Sequence, residues 1–290
     1  MPLVYACIAP HGSEVVPALA GTKSARFSQT RAGMRKLAEE IKEARPDTVV
    51  VATPHNLRLH RHIGVVTAEN SSGVLREAGR EIRLRARCDV EFAERLVLTA
   101  EGQGLPVVGA AYGVNEGPLS DMAMDWGTLV PLWFLVRGTR LRSKIVIVTP
   151  SRGIPLYQDF EFGKVIARVA EAQTKRTAFI ASSDQAHAHK KGGPYGYSPA
   201  AAEYDSLVVD AVRKNRLESV LEVRASLVDK AKPDSLWQMA MLAGALSVVP
   251  IEGRLHSYQV PTYFGMLCAG YPRRPKTSSS PAILRQSVAP

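Results

Sequence analysis

The chain predicts an α/β three-layer sandwich, with a central mixed sheet and helices on both faces. Short, near-continuous apolar runs rich in Val and Ile recur along it, as in strands covered on both sides. Segments with helical spacing of apolar residues lie between them, and this alternation is the pattern of strands joined by helical crossovers. With 290 residues, 46% of them hydrophobic, the chain can bury a full core, which excludes disordered and fibrous architectures.

In order, the strand-like runs are residues 3–9, 48–53, 63–67, 145–149 and 177–181. Met34, Leu37 and Ile41 fall at i, i+3 and i+7 in a helix that stops at Arg45-Pro46. Val90, Phe92, Ala93 and Leu96 repeat the period, as do Val165, Ile166, Val169 and Ala170. After about residue 198 the chain turns mostly helical, over 200–213, 217–224 and 235–246, before a last apolar stretch at 258–266. Residues 1–271 read as a single α/β domain, and 272–290, with Pro-Arg-Arg-Pro and Ser-Ser-Ser-Pro, read as a loose extension.

The formal net charge is +10, but the last twenty residues hold four basic side chains and no acid, leaving 33 basic against 27 acidic residues in the body. That excess is scattered, and aromatics are only 7%, so neither a basic run nor a stacking platform for nucleic acid is present. A general attraction to anionic substrates is compatible with it. Cys7, Cys88 and Cys268 are widely spaced and odd in number, which argues against a disulfide framework and a thiolate zinc site and for a reducing, cytoplasmic setting. No apolar run approaches the roughly 18 residues of a membrane-spanning helix, and no basic segment precedes the first apolar run, so neither a membrane nor a leader is expected.

Of seven histidines, three follow the ends of separate strands: Pro10-His11-Gly12, Pro54-His55-Asn56, and His187 in Ser182-Ser-Asp-Gln-Ala-His187. In an open α/β sheet ligands collect beyond the carboxyl ends of strands, so three loops aim imidazoles at one rim. A lone loop histidine is ordinarily a solvated hydrogen-bonder; three at equivalent ends point to a shared site. Two imidazoles plus a carboxylate, with open positions left over, suit non-haem Fe(II), and zinc with a bound water is the competitor. His60 and His62 alternate with arginines as on a solvated edge, and His256 reads as structural. His189 lies two residues past His187 and either ring can face the site. Asp125-Trp126-Gly127 reads as a turn into an apolar helix, and residues 192–199 as a Gly/Pro loop closing into a helix capped by Ser198 with Pro199 in its first turn.

In order and spacing, Pro10-His11-Gly12, Thr53-Pro-His-Asn56, Asp125-Trp-Gly-Thr-Leu-Val-Pro-Leu132, Ser183-Asp-Gln-Ala-His187, Gly193-Pro-Tyr-Gly-Tyr197 and Ala202-Glu-Tyr-Asp205 resemble the class III extradiol ring-cleavage dioxygenases. That is the catalytic-subunit family of protocatechuate 4,5-dioxygenase and 2-aminophenol 1,6-dioxygenase, and the resemblance runs from residue 3 to about 270. It implies Fe(II) held by His11, His55 and a carboxylate, with dioxygen and a catecholic or aminophenolic ring as substrates and His187 as the acid–base group. Trp126, His189 and Tyr195 would then surround the ring. The resemblance also implies a homo-oligomer or a complex with a related subunit.

Two positions depart from the family pattern. Trp126 stands where many members carry histidine, and a Trp ring cannot accept a proton. The metal glutamate, counted back from Gly244-Ala-Leu246, falls at Ser235, with Asp234 one residue earlier. Asp234 either closes the ligand triad or only caps the following helix, and Glu252 is the fallback. A member that lost oxygen chemistry and serves as a non-catalytic subunit, or a metal-dependent hydrolase or lyase on the same site, are the alternatives.

Overall fold

The computed structural model describes residues 2–273. The strands are β1 (Leu3–Ala9), β2 (Thr48–Ala52), β3 (Ile63–Val66), β4 (Asn70–Glu77), β5 (Arg80–Arg87), β6 (Val107–Ala110), β7 (Asp121–Ala123), β8 (Lys144–Thr149), β9 (Thr177–Ser182), β10 (Arg254–Gln259) and β11 (Met266–Pro272). The helices are α1 (Ser28–Ala44), α2 (Val90–Glu101), α3 (Trp126–Leu132), α4 (Leu156–Glu171), α5 (Pro199–Arg213), α6 (Ala225–Ala231) and α7 (Leu236–Val248).

Eight strands form one sheet in the order β10-β11-β1-β9-β2-β8-β3-β6. Its centre, β1-β9-β2-β8, is parallel, while β3 runs antiparallel to β8 and β11 antiparallel to β1, so the sheet is mixed as expected. Every residue of β1, β2 and β9 is buried, and their side chains alternate between two cores. Val50, Ala52, Phe179 and Ala181 face the helices α2, α4, α5 and α7; Val49, Val51, Ala178 and Ile180 face α1 and α3. Two-sided burial is why these strands read as unbroken apolar runs.

α4 and α7 meet through glycines: a Cβ on Gly163 would strike the Met241 carbonyl, and one on Gly244 the Phe160 carbonyl. Gly-mediated contact lets the two backbones approach closely. It also fixes α7, whose N-terminal approach carries Asp234, over the end of β9.

Two expectations change, and one feature is new. Residues 217–222 form a 3₁₀ turn, not an α-helix; Leu217 and Val220 are its buried residues, and Leu221 packs on the core from the side. The expected final strand at 258–266 is mostly a loop between β10 and β11; Pro261, with no N–H to give a ladder, lies within it. A second sheet, β5-β4-β7, was not foreseen: its strands are polar and half-exposed, so they carry no apolar run. A two-residue turn, Ala78-Gly79, closes its hairpin with both residues at positive φ. Of the expected extension, Pro272 pairs with Tyr5 and Arg273 with Glu171, and the rest lies outside the described residues.

Candidate metal centre

The parallel order β1-β9-β2 brings three strand ends side by side, with Ala9 opposite Ser182 and Ala52 opposite Ala181. The loops leaving them carry His11, His55 and the 183–187 segment to one rim. His11 is 1% exposed, and its ring is held from behind by Ser182 Oγ, 3.0 Å from Nδ1. With Nδ1 so engaged, Nε2 faces the rim. It lies 3.1 Å from His55 Nε2 and 3.2 Å from Asp234 Oδ2, while His55 Nε2 is 3.3 Å from the same oxygen.

His55 is positioned by Asp125, which caps α3 by accepting from the Thr128 amide and hydroxyl. The same carboxylate accepts from Thr53 Oγ1 at 2.6 Å and from Asn56 Nδ2 at 3.2 Å, tying the His55 loop to the helix start. A side chain on Gly127 would collide with Thr53 and crowd His55, so only glycine lets the helix approach this closely. Trp126 follows the cap, stacks on the His55 ring at 4.1 Å between centroids, and is otherwise open to solvent.

Asp234, 6% exposed, reaches the cluster from the approach to α7, its Oδ1 accepting from the Asp184 amide at 3.2 Å. Ser235 turns away to Tyr204, hydroxyl to hydroxyl at 2.8 Å. Glu252 lines a separate cavity with Asn215 and Tyr271. His187 Nε2 lies 4.0 Å from Asp234 Oδ2, its ring stacked on Phe264 and edge-on to Tyr195. His189 is not brought into the cluster: its Nε2 is bound to Asp205 Oδ2 at 2.8 Å, where the Tyr258 hydroxyl also donates. His60 and His62 are exposed, and His256 pairs with Glu40.

Asp184 joins the cluster although it was not singled out in the sequence. Its Oδ1 accepts from the His11 amide at 3.1 Å, and Oδ2 is 3.4 Å from His11 Nε2. The available signal was its place two residues beyond the end of β9.

The electrostatics follow from burial and from the two carboxylates. Burial opposes charge on His11, yet Asp184 and Asp234 overcome it and raise the imidazole to about 9. Burial also pushes the Asp234 carboxyl up, but the His11 and His55 imidazoles outweigh it and hold the group well below the usual carboxylate range. Asp184 is pushed up to about 7 by burial against the pull of His11. Burial lowers His55 and His187, which favours neutral rings with a free lone pair.

Two imidazole nitrogens and a carboxylate oxygen thus converge at 3.1–3.3 Å from one another. Ligands on one cation with bonds of about 2.1 Å lie about 3.0–3.4 Å apart for angles between octahedral and tetrahedral values, so the set fits a single ion. The donor types suit a 2-His-1-carboxylate site with positions left open. The cluster lies in a cleft of about 750 Å³ whose walls include Trp126, His187, Tyr195, Trp237 and Phe264. Arg58, Arg152 and Lys232 also line it, and Arg152 lies over the Trp237 ring at 4.3 Å. Arg152 follows the end of β8 by three residues, the same strand-end signal that marked the histidines.

No helix among the described residues is long and apolar enough to cross a membrane. In comparisons with known proteins, the chain is similar to Protein CA_C1420 of Clostridium acetobutylicum, 25% identical over 253 residues, a match covering 86% of this chain and 53% of that protein. The chain therefore spans about half the length of this curated relative. Its fold is similar to the crystal structure of an uncharacterized protein, JW3007, from Escherichia coli K12, with TM-score 0.57, 16% identity, and coverage of 92% of this chain and 99% of that one. Residues 5–267 match the family described as the catalytic LigB subunit of aromatic ring-opening dioxygenase. With most of its length matched, and with the strand-end histidines and Asp234 inside the matched span, the chain belongs to that family.

Proposed function

We propose that this protein is a non-haem Fe(II)-dependent extradiol dioxygenase that opens a catecholic or aminophenolic ring bearing an anionic substituent. The observation that carries this reading is the convergence of His11 Nε2, His55 Nε2 and Asp234 Oδ2, with His187 beside them, at the base of an aromatic-walled, cation-lined cleft. His11, His55 and Asp234 would hold the metal. Bound there, Fe(II) would supply open positions for dioxygen and for the two adjacent ring heteroatoms.

The remaining steps belong to side chains. His187, kept neutral by burial, takes the proton from a ring hydroxyl as the substrate seats and returns one as the ring opens. Trp126 and Phe264, each stacked on a site histidine, form flat walls between which a planar ring is held. The guanidinium groups of Arg58 and Arg152 supply the positive charge that meets a substrate carboxylate, and their planar forks favour bidentate pairing. Tyr195, edge-on to His187, closes the outer side.

The test is anaerobic Fe(II) binding by wild type, His55→Ala and Asp234→Ala, followed by oxygen uptake with a panel of catechols and 2-aminophenols. Stoichiometric iron in wild type, lost in both variants, with ring-dependent uptake, is the expected result. Asp234→Ala should lower turnover by roughly a thousandfold or more, since the metal supplies several kcal/mol of transition-state stabilisation. Iron bound without oxygen uptake on any ring would overturn the reading.

A further inference from the structure

The small sheet has a second charged feature, unconnected with the metal centre. β5 is an edge strand: β4 pairs with it along its whole length, and its other side is met among the described residues only at its C-terminal end, where Cys88 bridges Ile145 of β8, leaving the stretch before it open. A groove of about 670 Å³ runs beside it, lined by five consecutive residues, 83–87, and opposite them by the segment that follows α3. A groove lined by consecutive residues follows the strand instead of crossing it. Its floor is apolar, with Leu84, Leu132, Val136, Leu141 and Ile145.

Its walls carry one sign of charge. Arg83, Arg85 and Arg87 occupy alternate, same-face positions of β5, all exposed. Arg137, Arg140, Arg142 and Lys144 face them from the other wall. Arg83 pairs with Glu81 and Arg85 with Asp121, whereas Arg87 and the four opposite cations make no ion pair among the described residues. Exposed strand edges are templates for pairing, and the rows of unpaired backbone groups they present favour an added strand.

The charges select the occupant. A second copy joined edge to edge through β5 would set Arg83, Arg85 and Arg87 against their own counterparts, and like charges directly opposite are destabilising. A single-stranded nucleic acid would want aromatic platforms, and none of the lining residues is aromatic. We propose that this edge docks an extended acidic segment of a partner protein, which adds a fourth strand to the small sheet and seats alternate Asp or Glu side chains among the arginines. The backbone edge supplies the ladder, the apolar floor takes the intervening side chains, and the charges set direction and partner choice.

The probe is a short fluorescent peptide alternating Glu and Val, measured by anisotropy against the intact protein at low and high salt. Two comparison probes are the same peptide with its valines replaced by proline, which keeps the charge and removes ladder donors, and a single-stranded oligonucleotide of similar charge. The alternating peptide should bind, weaken with salt, and lose roughly tenfold or more in affinity in the double variant Arg87→Glu, Arg142→Glu. The thermal midpoint of that variant should stay at the wild-type value, and amide exchange at residues 83–87 should slow when peptide is bound. Equal binding of the proline peptide, tighter binding of the oligonucleotide, indifference to the double variant, or no binding of the peptide would each overturn the proposal.

Discussion

The ends of β1, β2 and β9 hold two imidazoles and two carboxylates out of water, whereas the hairpin of β4 and β5 holds its arginines in it. His11, Asp184 and Asp234 are at most 6% exposed and press on one another within 3.4 Å. Burying such groups costs more desolvation energy than their mutual attraction recovers unless geometry and hydrogen bonds are excellent, and an apolar replacement of similar volume would often fold as well. A cluster kept at that cost points to chemistry, and its members are coupled, so changing one shifts the others. On the hairpin each charge interacts mainly with water and salt. Charged and titratable groups therefore carry large energies in one place and small ones in the other.

The sharpest way to break that contrast is at His187. His187→Ala should lower kcat by about 10²- to 10⁴-fold, the usual worth of a positioned proton-transfer group. Because this ring touches the cluster only at 4.0 Å, stoichiometric metal binding should survive. Loss of metal together with activity would instead make His187 a ligand.

Asp184→Asn comes next. The amide oxygen can still accept from the His11 backbone N–H, so the loop keeps its shape, but one of two negative charges beside His11 is gone. Outer partners of metal ligands are typically worth 10- to 100-fold in affinity, and a decrease of roughly that size in Fe(II) affinity is expected by anaerobic titration. An unchanged affinity would reduce Asp184 to a backbone anchor.

How much of this was legible follows the same division. The strand-end rule found His11, His55 and His187 because fully buried strands announce themselves as Val/Ile runs, and what lies just beyond them can be counted. The residue class at the third corner, a carboxylate before α7, came through the family resemblance, and the sequence left Asp234 and the helix cap equally open. Its approach goes with the close packing of α4 on α7, Gly163 against Met241 and Gly244 against Phe160, a long-range packing event that no local pattern records. His189 shows the reverse case: it sits two residues from His187, yet the buried Asp205 carboxylate claims its ring. The small sheet stayed hidden because Arg-x-Arg alternation on a half-exposed strand resembles a solvated loop.

The pH dependence separates the two regions more gently. In the metal-free protein burial opposes the His11 charge, but Asp184 and Asp234 raise the group to about 9 from an ordinary 6.5. A raised folded value means the bound proton stabilises the fold; that contribution is complete below about 6.5 and disappears as pH rises through about 9. The melting temperature of the metal-free protein should therefore fall across this window. Over the same window apparent metal affinity should rise by up to roughly tenfold per pH unit, because the ligand must release its proton. A metal-free melting temperature that is flat from 6.5 to 9 would show that the carboxylates do not hold that proton.

The smallest effect is the one that tests whether the hairpin's charge is free of the fold. Arg87 is exposed, has no ion-pair partner among the described residues, and sits at the end of an edge strand. Its removal leaves no buried group unpaired and no cavity, so Arg87→Ala should change unfolding free energy by no more than about 0.5 kcal/mol in urea melts. It also relieves repulsion from the cations across the groove, so the sign should be neutral to stabilising at low salt and vanish at high salt, where exposed charges are screened. A destabilisation of about 1 kcal/mol or more would mean that the arginine stem packs on the apolar floor, making it part of the core and not a surface held ready for a partner.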